Sequence, residues 1–206
     1  MFTSWDEQLQ ELVLQRRWKD IISLGATIPL EEKSRYLWAW PSEDSLIFLK
    51  NELKAAGVSR ILSIGCGSGL LEWIIRESIG ISVFGVELDN SWWKSSYSPK
   101  TFIDLSFARN ELTPNFLQEA CASNDWNFAL LFCYFNNHEA FIRYLDAYHG
   151  KYLVIIGPGN DCGRHTDPQP FELNLKDNKE RWRLVSSCHI GNSVDFIAIY
   201  IKILDE

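Results

Sequence analysis

Ile61-Leu62-Ser63-Ile64-Gly65-Cys66-Gly67-Ser68-Gly69-Leu70-Leu71-Glu72 is an apolar run that enters a loop with glycine at 65, 67 and 69 and leaves it as a helix. Alternating glycines let the backbone turn sharply and let a ligand approach the N–H groups at a helix N-terminus. A second apolar run, Val83-Phe84-Gly85-Val86, ends in Glu87. A carboxylate at the tip of a neighbouring strand is placed to hold the two hydroxyls of a ribose. Together these features point to a nucleoside-containing ligand.

Outward from that stretch the chain alternates. Apolar runs predict strands at 60–65, 82–87, 101–104, 128–133 and 152–156, with helices over 69–78, 114–122 and 137–148. Continuous apolar runs suit strands covered on both faces, and strands alternating with helices imply a parallel sheet with right-handed crossovers. The end differs: runs at 182–190 and 194–203 are separated only by Gly191-Asn192-Ser193, which leaves no room for a helix and requires an antiparallel hairpin. The expected fold is α/β, a mostly parallel seven-stranded sheet with a C-terminal antiparallel hairpin and helices on both faces.

Upstream, Ser42 is a suitable N-cap for a helix reaching Gly57, with Asp44 and Ser45 in its first turn. Before it lies the aromatic segment Tyr36-Leu37-Trp38-Ala39-Trp40. Leu9, Leu12, Val13 and Ile21 fall near helical spacing and predict one amphipathic helix over 3–24, ended by Gly25 and Pro29. Two units are expected, an N-terminal helical extension over 1–34 and an α/β domain over 35–206. The extension is either packed on the sheet or a docking helix for a protein partner.

Composition narrows the classes. Hydrophobic residues make up 46 % of 206, ample for a core. No apolar run reaches the length of a membrane span. The net charge of −7 argues against a large nucleic-acid surface, because phosphate contacts need clustered Lys and Arg. The five cysteines form no CxxC pair, so neither zinc nor a dithiol is indicated, and no metal is expected. An odd cysteine count behind a polar, charged N-terminus fits reduced thiols in the cytoplasm or nucleus. Nine tryptophans are many for this length, and the near pairs Trp38/Trp40 and Trp92/Trp93 fit a pocket wall or an interface.

The glycine loop, the short third strand ending in Asp104 and the closing hairpin together resemble the class I S-adenosylmethionine-dependent methyltransferases. The resemblance covers roughly residues 36–206. It implies a Rossmann-like methyltransferase fold and S-adenosylmethionine as cofactor. By the same resemblance Gly65, Cys66, Gly67 and Gly69 pass under the methionine and ribose, and Glu87 holds the ribose hydroxyls. Asp104 accepts from the adenine amino group with Leu105 or Phe107 against the ring, Cys133 and the residues after it face the methyl group, and the aromatic segment covers the cofactor. The chain departs from the pattern at Ser63, where the family carries an acid that organises the loop and the ligand's ammonium group. Losing one charge-assisted hydrogen bond costs about 1.5–3 kcal/mol, a weakening of about 10- to 100-fold. Glu72, one turn into the helix, is the candidate replacement; its plainer role is a favourable charge near a helix N-terminus.

The exit of the fourth strand reads Cys133-Tyr134-Phe135-Asn136. It lacks the Asn/Asp-Pro-Pro-aromatic sequence that resembling enzymes use on planar amino groups, and no Lys-Asp-Lys-Glu set for ribose methylation is evident. Methyl transfer is an in-line displacement that needs alignment and often a base. His138, at a helix start, and His165, in a long Gly/Pro-rich loop after the fifth strand, are the candidate bases, with Tyr134 beside them. Arg164 and Asp161 in that loop are placed to grip a charged substrate. The acceptor stays open. A rival reading, motivated by Ser63 and the missing signature, is a non-catalytic scaffold or S-adenosylmethionine-sensing module.

Overall fold

The computed structural model describes residues 4–108, 112–160, 162–175 and 182–203. Four helices come first: α1 (Trp5–Leu14), α2 (Trp18–Gly25), α3 (Leu30–Lys33) and α4 (Glu43–Ala55). The alternating part follows as β1 (Arg60–Ile64), α5 (Leu70–Ile79), β2 (Ser82–Glu87), α6 (Asn90–Trp93), β3 (Leu105–Phe107), α7 (Pro114–Ala120), β4 (Phe128–Cys133), α8 (His138–Ala147) and β5 (Tyr152–Pro158). The hairpin β6 (Trp182–His189) and β7 (Asp195–Lys202) closes the chain. The sheet order is β3-β2-β1-β4-β5-β7-β6, with β1 to β5 parallel and β7 antiparallel to both β5 and β6. Chain order reverses between β1 and β4, so the crevice for a ligand lies beyond their C-terminal ends.

The two-residue period of the strands sorts the core into two layers. Ile61, Ala129, Leu131, Val154, Ile197 and Ile199 face the layer that contains residues of α1, α2, α4 and α5. Their neighbours Leu62, Leu130, Phe132, Leu153, Ile155 and Tyr200 face α7 and α8. Burying each Leu, Ile or Phe contributes about 1.5–3 kcal/mol, so a one-residue slip of any central strand is strongly disfavoured.

Two expectations are corrected. The predicted helix over 3–24 is two helices, broken at Arg16, which takes φ +56°. The break turns Leu9 and Leu12 of α1 and Ile21 and Leu24 of α2 into one core and sends Arg16 to Glu77 on α5 at 2.7 Å. Most apolar residues of both helices are therefore packed inside this chain, while Leu14 at the end of α1 is 79 % exposed. The third strand is Leu105–Phe107, not 101–104. The Phe102 N–H is used by the Ser68 carbonyl at 2.8 Å, and Ile103 is buried in the space beside Gly69 and Gly85, so this stretch packs on the glycine loop instead of joining the ladder. Other predicted elements stand within a few residues. Ser42 caps α4 in a capping box with Ser45, as its sequence suggests. Asp161 lies outside the described residues, and no described helix is long and apolar enough to cross a membrane.

Candidate functional site

The glycine loop takes the form its sequence requires. Gly65, Gly67 and Gly69 all have φ between +61° and +77°, the left-handed region where a side chain is strained. At Gly69 a Cβ would also run into Ile103; at Gly67 it would meet nothing within 4 Å, leaving open space above the turn. Gly69 precedes the first turn of α5, whose unpaired N–H groups face the loop.

Two carboxylates frame it. The Oε1 of Glu87 accepts from the Gly67 N–H at 2.6 Å, so the acid at the end of β2 fixes the middle of the loop. Glu72 lies on α5 at 1 % exposure, and its Oε1 accepts from the Ser63 hydroxyl at 2.7 Å. Its Oε2 is buried and has no hydrogen-bond partner among the described residues. Burial, aided by the nearby negative charge of Glu87 and opposed by the Ser63 bond, pushes the Glu72 carboxyl up to about 7. Position 63 is a serine, and a carboxyl from the next helix reaches its side chain. Half-buried Cys66 and Cys133 sit near this charge; desolvation first and then Glu72 drive both thiols well above their ordinary range, so neither is a nucleophile at neutral pH.

The segment over 36–41 passes across the same end of the sheet. The Trp40 Nε1–H donates to the Ile22 carbonyl at 3.3 Å, which ties the segment to α2. Trp38 is 63 % exposed, and one face of its ring packs on Tyr134, with centroids 5.7 Å apart. Beyond β4, Tyr134 adopts φ +50°, and Phe135 turns to the other face, its ring 3.1 Å from where a Gly65 Cβ would stand.

A cleft of about 1040 Å³ opens beside Tyr134, with Trp38, Asn136, Arg164, His165 and Thr166 in its wall and no residue of the glycine loop among its lining. The loop after β5 is drawn over the β4 exit by the Asp167 N–H, which donates to the Phe135 carbonyl at 3.1 Å. At the base of the cleft the Tyr134 hydroxyl donates to Asp195 Oδ1 at 2.5 Å and accepts from the Arg164 guanidinium at 3.2 Å. Asp195 is 3 % exposed. Burial and the bond to Asp195 push the Tyr134 hydroxyl up to about 12, so it is a proton donor, and no phenolate, at neutral pH.

The structure therefore divides the residues singled out by sequence. Ser63, Gly65, Cys66, Gly67, Gly69, Glu72, Glu87 and Cys133 share one end of the sheet. Asp104 is exposed just before β3, while Leu105 packs beside Gly85. His165 and Tyr134 share the cleft, where His165 Nδ1 lies 3.1 Å from Gln169 Nε2. His138 is outside the cleft lining, its Nδ1 held 2.9 Å from Asp167. Among the described residues no group of three or more His, Cys, Asp and Glu is placed to hold a metal.

No family model matches the chain, and no curated protein matches it in sequence. Solved structures do match. An O-methyltransferase from Bacillus cereus in complex with SAH aligns with a TM-score of 0.51 at 14 % identity, covering 90 % of each chain. This chain has the Rossmann-like fold of the class I methyltransferases. Looser likenesses include magnesium protoporphyrin IX methyltransferase from Synechocystis PCC 6803 with bound SAM, at TM-score 0.44 and 13 % identity over 78 % of this chain and 79 % of that one. A SAM dependent methyltransferase from Aquifex aeolicus aligns at TM-score 0.44 and 15 % identity over 79 % and 99 %. At 14 % identity the Bacillus cereus alignment shows the fold alone and leaves the chemistry to the residues. Asp195 and Thr166 are the site residues that sequence reasoning missed. The available signal for Asp195 was a carboxylate at the head of the otherwise apolar run 195–201.

Proposed function

We propose that this chain binds S-adenosylmethionine at the Gly65–Gly67–Gly69 loop and transfers its methyl group to an acceptor held in the adjoining cleft. The observation that carries the reading is Glu72: a carboxyl sealed in the core, bonded to the Ser63 that replaces the family's acid, with one oxygen left unpartnered. A buried carboxyl without a second partner is costly, and an ammonium group is the partner that would relieve it. The Gly67 turn, whose upper side is open, and Glu87 suit a ribose. Asp104, exposed beside β3, and Leu105 are the candidates for the adenine. The bound cofactor would supply an activated methyl group on a sulfonium sulfur. This chain's residues then orient the acceptor. Tyr134, its proton held by Asp195 and its oxygen by Arg164, forms the wall against which the acceptor packs, and His165, exposed on that wall with Nδ1 3.1 Å from Gln169 Nε2, is the candidate base.

The test is calorimetric titration with S-adenosylmethionine and with S-adenosylhomocysteine. Binding of both is expected, and Glu87→Ala should weaken it at least about tenfold through loss of charge-assisted hydrogen bonds. An ammonium beside Glu72 would draw its carboxyl down, so affinity should rise with pH up to about 7. No heat at millimolar ligand ends the proposal. A second reading, a cofactor-sensing module without catalysis, is favoured by the Tyr134 hydroxyl being committed to Asp195. Methyl incorporation from a labelled donor into cell extract separates the two: binding without incorporation selects the sensor.

A further inference from the structure

We infer that the cleft beside Tyr134 binds a planar aromatic anion, which on the methyl-transfer reading above is the acceptor. The first observation is charge. The wall carries two cations, Lys33 and Arg164, and among the described residues neither forms an ion pair. The one carboxylate in the wall is Asp195, at 3 % exposure and already bonded by the Tyr134 hydroxyl, with the Arg164 guanidinium 3.2 Å from that hydroxyl. A chain of net charge −7 thus lines this cleft with cations in excess, and anionic ligands are drawn there while the rest of the surface repels them.

The second observation is a waiting donor. Thr166 lines the same cleft at 2 % exposure, and its Oγ1 has no hydrogen-bond partner among the described residues. A hydroxyl taken from water and left unpaired is unfavourable, and an acceptor oxygen arriving beside it removes that penalty. The Thr166 hydroxyl lies over Gly157, 3.2 Å from where a Cβ would stand and two residues along the loop from Arg164, and a carboxylate or phosphate is the chemistry that serves both a guanidinium and a hydroxyl.

The third observation is shape. One face of Trp38 packs on Tyr134, but the residue is 63 % exposed, so a flat indole face is turned to the cleft and solvent. Aromatic rings pack against such a face in offset stacks. At about 1040 Å³ the cleft has room for more than a single ring.

The test uses three probes of one shape, 2-naphthoate, 2-naphthyl phosphate and 2-naphthylmethanol, in equilibrium dialysis against the full chain. At least one acid should bind about tenfold or more tighter than the neutral alcohol, the worth of one charge-assisted contact. Arg164→Gln, at an exposed position, should remove most of that preference. Thr166→Val, which keeps the volume, should weaken the acids about threefold or more and leave the alcohol unchanged. Trp38→Ala should weaken all three. A preference for 2-naphthoate assigns a carboxylic acid, and a preference for 2-naphthyl phosphate a phosphate ester. Equal binding of acids and alcohol, no binding, or a preference untouched by Arg164→Gln and Thr166→Val overturns the assignment. The dialysis is run without and then with S-adenosylhomocysteine. Acid binding in a chain that never takes the nucleoside keeps the pocket and removes the acceptor role; nucleoside binding without acid binding removes the pocket alone.

Discussion

The glycine loop over β1 and β2 and the cleft over β4, β5 and β7 share one edge of the sheet but are built from different materials. The loop presents backbone: three positive-φ residues, the free N–H groups that open α5, and two carboxylates that brace them, all between Ser63 and Glu87. The cleft presents side chains drawn from residues 22–26, 33–42, 134–136, 164–166 and 190–195. Backbone geometry persists through substitution as long as φ and the bracing acids are kept, whereas a wall of side chains changes with every replacement. A part of a ligand common to many proteins is suited to the first, and a part peculiar to one protein to the second.

The largest effect should come from the backbone side. Gly69→Val places a β-branched residue at φ +77° against Ile103. The left-handed conformation costs about 1–2 kcal/mol and overpacking about 1–3 more, so thermal unfolding should show a Tm lower by about 10 °C. Gly67→Ala has the same backbone strain but open space around its Cβ, and should cost only about 1–2 kcal/mol. Equal losses at the two positions would mean that Ile103 does not buttress the loop.

Glu72 gives the next effect, with the opposite sign. Its carboxyl is raised from an ordinary 4.5 to about 7, so between those values the folded chain holds a proton that the unfolded chain has released. Stability from this group is full below pH 4.5, falls as pH rises to 7, and is level above it. Glu72→Gln should therefore be more stable than the parent at pH 8 by about 3 kcal/mol in urea unfolding, and the difference should vanish near pH 4.5. The same variant should lose cofactor affinity if an ammonium is its partner. A gain in stability together with unchanged affinity would leave Glu72 a purely structural acid.

What sequence could disclose follows the same division. Ile61 to Glu87 was readable because glycine spacing and a strand-terminal acid report local backbone needs. Ser63 was readable as a departure from the resembling pattern, and Glu72 as one candidate to make it good. The terminal hairpin was readable because three residues cannot span a helix. The third strand was misplaced because Phe102 and Ile103 look like strand residues, and only packing on Gly69 and Gly85 decides otherwise. The break at Arg16 was invisible for a similar reason: Glu77, which receives its guanidinium, is 61 residues away. Tyr134 and Asp195 are also 61 residues apart, and no local pattern joins them.

On the cleft side, Tyr134→Phe strips Asp195 of its described side-chain donor while leaving it 3 % exposed. An uncompensated buried acceptor costs about 1–3 kcal/mol, so a Tm lower by about 2–12 °C is expected. Asn at position 195 should rescue it: the double variant Tyr134→Phe with Asp195→Asn removes the charge and should recover part of the loss. Additive losses would show that the pair is not coupled.

The smallest change to the fold should come from Trp38→Ala, and its smallness is what makes it useful. Trp38 is 63 % exposed, and its described ring contact is the stack on Tyr134. Such a stack is worth about 0.5–1.5 kcal/mol, so Tm should move by no more than about 6 °C. The glycine loop makes no described contact with this indole, and cofactor affinity measured by calorimetry should change less than about threefold, within roughly 0.7 kcal/mol. Retention of a ligand in the cleft should suffer much more. If cofactor affinity instead collapses with Trp38, the aromatic segment covers the nucleoside as well as the cleft, and the two halves of the sheet edge form one site instead of two.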